Sequence, residues 1–287
     1  MGADAQWNDD VHHALRVALT GERRGYYLDY DGVGDLAHAF AHRWVFDGRW
    51  SEFRARTHGR SVDDVAHQRF VAFSANHDHV GNTPTGARPP FDHARRLVAA
   101  ATVLLSPYTP MLFMGDEYAE PAPFPFFVDH GEGNLLQAVR QGRRKEYARS
   151  EWPEEVADPA SPATFERAVL DPSQAARSPH REILAAHVEL LACRRVHPTL
   201  TEPGADHDVE RIADAVVIRR HLDGASTVLV VSLGSQDVTI PVGPSTTIAF
   251  DTADRRWWPA DGKAPTAARV GDGAAIVAGL TVALFIS

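Results

Sequence analysis

Cysteine is almost absent. Cys193 stands alone among 287 residues, so no disulfide can close within the chain and a disulfide-stapled scaffold is excluded. Lysine is nearly as scarce, with only Lys145 and Lys263 beside many arginines, and the net charge is −9. Such a chain lacks the basic balance that marks binding to nucleic acid or to an anionic membrane surface. Long apolar runs are missing too. The longest, residues 97–105, falls far short of the roughly 20 residues that span a bilayer. No cationic and apolar leader opens the sequence, where Gly2, Ala3 and Asp4 lead straight to Trp7, Asn8, Asp9 and Asp10. These absences predict a cytoplasmic protein with no membrane and no nucleic-acid partner.

What is present suits a globular enzyme. Apolar residues make up 44% and charged residues 23% of the chain, enough for one large domain with a sizeable core and a smaller second one. Residues 69–82 carry the strongest local signal. Phe70, Val71, Ala72 and Phe73 form a short apolar run, as in a strand buried on both faces. Asn76, His77, Asp78 and His79 follow at once, then Gly81 and Asn82. A buried parallel strand that opens into titratable groups is how α/β barrels build active sites. The same letters could also be a solvated turn.

Two flanking segments repeat the strand-then-polar-tip pattern. Residues 4–19 read as a strand end and a helix, capped by Asn8 or Asp9, with Asp9, Asp10, His12 and His13 crowding its first turn. Residues 111–114 read as another short strand, ending in Gly115, Asp116, Glu117 and Tyr118. Between the central strand and this one, Asp92 caps a helix that Ser106-Pro107 ends, which makes a βαβ unit. Residues 25–35 predict a loop and 36–46 a helix, with an arginine-rich connection to residue 65. Residues 121–130 predict a shaped loop, 134–148 a helix with a basic face, 151–179 irregular chain, and 181–196 an amphipathic helix. From about Glu210 short β-rich runs take over, and Asp223-Gly224 is a hairpin turn signal. The expected division is a barrel portion at residues 1–205 and an antiparallel β-sandwich at 206–287.

The stretch Asn76-His77-Asp78-His79-Val80-Gly81-Asn82 resembles the last signature of the α-amylase family of glycoside hydrolases. Residues 4–15, 112–118, 123–130 and 138–144 narrow the resemblance to the maltooligosyltrehalose trehalohydrolase branch of that family. The resemblance implies the C-terminal part of a (β/α)8 TIM barrel, about strands six to eight, followed by the sandwich. It implies α-1,4-glucosidic hydrolysis that releases trehalose from maltooligosyl trehalose or acts on a related α-glucan, with no cofactor and no metal. Asp78 would stabilise the transition state. Asn76, His77, His79, Val80, Gly81, Asn82, Trp7, Asp9, Asp10, His12 and His13 would bind substrate.

Two departures follow. The position after the motif's aspartate is usually Gln in these enzymes and is His79 here. The family's nucleophile and acid/base sit on strands four and five, which match nothing in these residues, so the resemblance implies a missing N-terminal barrel half as partner. Asp4 and Glu117 do not fit as substitutes. Two other readings stay open. His77 and His79, alternating on an extended segment, could share a metal as in barrel metallohydrolases. The chain could also bind maltooligosaccharide without catalysis.

Overall fold

The computed structural model describes residues 2–149 and 156–287. Three short parallel strands lie side by side: β1 (Gln6–Trp7) pairs with β4 (Phe70–Ala72), and β4 with β5 (Thr109–Pro110). Around them the chain runs β1, α1 (Asp9–Thr20), α2 (Val33–His42), β2 (Asp47–Ser51), β3 (Arg56–Gly59), β4, α3 (His77–Gly81), α4 (His93–Leu105) and β5. It continues through α5 (Gly133–Arg149), α6 (Pro162–Glu166), α7 (His180–Val196) and α8 (Pro198–Thr201). None of the described helices is long and apolar enough to cross a membrane.

Local chemistry explains the helix ends. Asn8 caps α1 by accepting from the Val11 amide at 3.3 Å, and Gly21 closes it with a left-handed φ of 71°. Asp92 caps α4 through the Arg95 amide at 2.9 Å. At the other end of α4, Arg194 of α7 donates to the carbonyls of Leu104, Ser106 and Tyr108 at 2.7–2.8 Å. A guanidinium there satisfies orphan carbonyls and opposes the helix dipole.

The remaining strands are antiparallel. They are β6 (Asp206–Ile212), β7 (Ala215–Leu222), β8 (Ala225–Ser232), β9 (Val238–Pro241), β10 (Thr247–Asp251), β11 (Arg269–Gly271), β12 (Ala274–Val277) and β13 (Thr281–Ile286). Five form one sheet in the order β10-β13-β8-β7-β6, and three form another in the order β11-β12-β9. Alternation divides their side chains between two cores. Val217, Val230 and Phe285 meet Ile240, Ala275 and Val277 of the smaller sheet. On the opposite face, Val216, Ile218, Leu229 and Leu284 join the main core with Leu36, Phe40, Leu97, Leu104 and Leu190. The larger sheet is therefore buried on both sides, and α2, α4 and α7 pack against it.

Several expected elements moved. The strand expected at 111–114 lies earlier, at Thr109–Pro110, although the Met111 amide still bonds the Ala72 carbonyl at 2.8 Å. The helix expected at 36–46 spans Val33–His42, and the connection to residue 65 holds the β2–β3 hairpin. Part of the loop expected at 25–35 is a 3-10 turn, Gly25–Asp29. In the irregular segment 151–179, residues 151–155 lie outside the described residues. The rest contains α6 and a 3-10 turn at Pro172–Ala176.

Candidate functional site

β4 ends at Ala72, and after four intervening residues α3 begins at His77, a single turn that carries the polar tip. Asn76 is buried and caps this turn, its Oδ1 accepting from the His79 amide at 2.8 Å. Val80 and Gly81 are also buried, Val80 within a small cluster of Ala75, Phe113 and Phe124. The turn is held from outside by Arg143 of α5, which donates to the Gly81 carbonyl at 2.8 Å and Asn82 Oδ1 at 3.1 Å. Anchored at both ends, α3 presents His77 and Asp78 to solvent.

The Asp78 side chain is 60% exposed, and its Oδ1 lies 3.4 Å from His77 Nε2. The His77 ring stands edge-on to Trp7 at 5.4 Å, and Trp7 stands edge-on to buried Phe73 at 5.8 Å. An open carboxylate beside an aromatic shelf can accept hydroxyl hydrogen bonds and oppose a developing positive charge, while the shelf packs against apolar ring faces. Trp7, Asp9, His77, Asp78 and Asn82 are the expected site residues that the structure leaves accessible.

The others face inward. Asp10 is consumed by the protein: Oδ1 accepts from the Tyr30 hydroxyl at 2.6 Å, and Oδ2 from the amides of Val45 and Phe46 at 2.7 and 3.0 Å. His12 is fully buried, with Nδ1 2.8 Å from the Ser74 carbonyl and Nε2 3.3 Å from the Tyr27 hydroxyl. His13 is buried beside Tyr26, Tyr27 and Tyr30. His79 stacks on His12 at 4.2 Å and reaches Asp9 Oδ1 at 3.2 Å. Burial first, then the charge His79 can carry, holds both His12 and His13 well below their ordinary pKa of 6.5.

The extended His-x-His pair does not form. His77 and His79 lie on a helical turn, where residues two apart project to different sides, and only His79 turns inward. The tyrosines that surround the inner histidines were not singled out from sequence. Their signal was the run of aromatics between Gly25 and Tyr30, in a segment read only as loop. Nearby, Arg88 joins two loops by donating to Asp116 at 3.0 Å and to the carbonyls of Met114 and Ala122. Burial still pushes the Asp116 carboxyl up to about 6, against the pull of Arg88 and Arg96. A cavity of about 570 Å³, lined by Arg16, Glu22, Arg23, Thr85 and Arg88 among others, lies alongside and does not include Asp78.

No family model matches the chain. Its fold matches a candidate α-amylase from Salmonella typhimurium, with a TM-score of 0.81 and 31% identity over 99% of this chain and 46% of that one. The fold is also that of an α-amylase from H. orenii, with a TM-score of 0.53 and 15% identity over 100% of this chain and 49% of that one. In sequence and fold the chain is thus similar to part of the α-amylase family of glycosidases. The chain is a relative of malto-oligosyltrehalose trehalohydrolase, matching a C-terminal part of such proteins. It is 48% identical over 201 residues to the protein of that name from Arthrobacter ramosus, which is 69% of this chain and 35% of that protein. With the Mycobacterium tuberculosis protein it is 35% identical over 259 residues, 88% of this chain and 44% of that one. The chain thus spans less than half the length of these relatives.

Proposed function

We propose that this chain forms the Asp78-bearing side of an active site that releases trehalose from maltooligosyl trehalose by hydrolysing an α-1,4-glucosidic bond. The observation that carries the reading is the open Asp78 carboxylate beyond a parallel strand, flanked by His77 and Trp7. The names of the relatives supply the substrate. In this reading β1, β4 and β5 are about strands six to eight of a (β/α)8 barrel, residues 206–287 are its sandwich domain, and the setting is cytoplasmic.

The chemistry is a retaining hydrolysis, in which a nucleophilic carboxylate and an acid/base carboxyl lie about 5 Å apart. Both would come from the N-terminal part of the barrel. Asp78, open to solvent, faces and opposes the oxocarbenium-like charge at the sugar being cleaved. His77 binds hydroxyls of the same ring, and Trp7 and Asn82 line the cleft. Asn76, Val80 and Gly81 act indirectly, by fixing the turn that aims Asp78.

The test pairs residues 1–287 with the N-terminal part of a malto-oligosyltrehalose trehalohydrolase and follows trehalose release. Asp78→Asn should lower turnover by on the order of 10²-fold or more, since a transition-state charge interaction is worth several kcal/mol. Circular dichroism should not change, because the side chain is exposed. Near-normal release by the variant would remove Asp78 from the mechanism.

A further inference from the structure

We propose that His12, His13 and His79 form a binding site for a divalent transition-metal ion of the zinc class. One ring nitrogen from each lies within 4.8 Å of the other two. His12 and His13 are buried, and the His79 side chain is 11% exposed. The site therefore has a sealed floor and one histidine at its rim.

Hydrogen bonds fix which nitrogens can bind. The Tyr30 hydroxyl gives its proton to Asp10 Oδ1 at 2.6 Å, so toward His13 Nδ1, 3.0 Å away, it can only accept. His13 thus carries its proton on Nδ1, and Nε2 holds a bare lone pair. That Nε2 is buried and has no hydrogen-bond partner. An orphaned buried acceptor is costly and calls for an explanation. In His12 the Ser74 carbonyl, 2.8 Å from Nδ1, likewise requires a proton there and leaves Nε2 as the lone-pair nitrogen. Two imidazoles are thus held with Nδ1–H on an oxygen acceptor and Nε2 as the lone-pair nitrogen, bare in His13 and in His12 accepting from the Tyr27 hydroxyl at 3.3 Å, a long bond that a metal ion would replace; protein scaffolds orient metal-bound histidines by the same Nδ1–H anchoring.

Zinc takes imidazole nitrogens at about 2.0–2.1 Å in a tetrahedron, which places ligand atoms roughly 3.4 Å apart. The three nitrogens must therefore draw together, and His79 is the one with room to move. Its ring now lies nearly parallel to His12, at 17°, and parallel rings cannot aim in-plane lone pairs at one point. Coordination turns His79 out of that stack. Asp9, 3.2 Å from His79 Nε2, adds a negative charge at the open corner, where a fourth ligand would sit. The neighbouring Arg16 cation is answered by Glu22 at 2.8 Å.

The proposal does not depend on glycosidase activity, since Asp78 is not a ligand. The untagged 287-residue chain, stripped with chelator, is titrated with Co²⁺ and followed by visible absorption, then back-titrated with Zn²⁺. One ion per chain with intense four-coordinate bands is expected, and Zn²⁺ should abolish the bands. His13→Gln should remove them. His79→Gln and Tyr30→Phe should each weaken binding by about tenfold or more, the usual effect of losing a ligand or its hydrogen-bonded support. His221→Gln, on an exposed position of β7, should change nothing. Circular dichroism identifies a variant that fails to fold; should His13→Gln do so, the rim variant His79→Gln decides. Absence of saturable Co²⁺ binding, or bands that survive His79→Gln and Tyr30→Phe, would overturn the proposal.

Discussion

Burial holds His12, His13, His67 and His187 below the ordinary histidine pKa, and His67 is pushed down to about 3. A histidine whose folded pKa lies below its unfolded value of 6.5 binds fewer protons in the native state. Stability from such a group is therefore complete above pH 6.5 and drains away as pH falls toward the folded pKa. Each histidine that stays neutral at pH 5.5 costs about 1.4 kcal/mol relative to neutral pH. Asp116 acts the other way: its raised carboxyl takes up a proton in the native state and returns less than about 1 kcal/mol. The urea midpoint should therefore fall clearly between pH 7.5 and pH 5.5. An equal or higher midpoint at pH 5.5 would show that these imidazoles are not buried neutral. The same residues mark the limit of what sequence conveys. The exposure of Asp78 was legible because a charge just past a buried strand points to an opening. The fates of Asp10, His12 and His13 were not, because consecutive polar letters do not say which side chains meet Tyr27, Tyr30 and the backbone of residues 45–46.

At the scale of elements, legibility follows how local the cause is. The caps at Asn8 and Asp92 and the Asp223-Gly224 turn are decided within a few residues, and the structure has all three. The strands β2 and β6 were missed because they are edge strands, charged along their length, and charged edges discourage stray pairing. β5 was displaced because its pairing residues include Pro110, tolerated only at an edge, while the apolar letters come after it. The hairpin allows a sharp test. Asp223 and Gly224 both have positive φ, 48° and 86°, and a Cβ at Gly224 would meet nothing within 4 Å. Any cost there is conformational, not steric crowding by neighbours. Gly224→Ala should destabilise by about 1 kcal/mol, whereas Gly224→Asn should cost less because Asn tolerates the left-handed region. Thermal melts of the three proteins check the order. Equal stability of Ala and Asn variants would mean that the turn relaxes to another type.

Taken whole, the molecule is unevenly finished. The five-stranded sheet is buried on both faces, but β1 and β5 each leave one side unpaired among the described residues. Trp7 is 37% exposed, and Val188, Leu191 and Val196 of α7 turn outward. In the proposed reading these edges and apolar surfaces meet the rest of a barrel, which removes edges by closing. Two consequences follow for the chain studied alone. Unpaired strand edges and uncovered apolar residues favour self-association, which dilution series in sedimentation should detect. Catalysis should fail for a separate reason, since one stabilising carboxylate cannot replace an adjacent nucleophile and acid/base pair. The measurement is trehalose release from maltooligosyl trehalose by residues 1–287, alone and after adding the N-terminal part of a trehalohydrolase. Turnover only in the mixture, accompanied by loss of self-association, is the expected result. Robust turnover by the lone chain would place the catalytic pair within these residues and dissolve the split-barrel reading, whatever role Asp78 then kept.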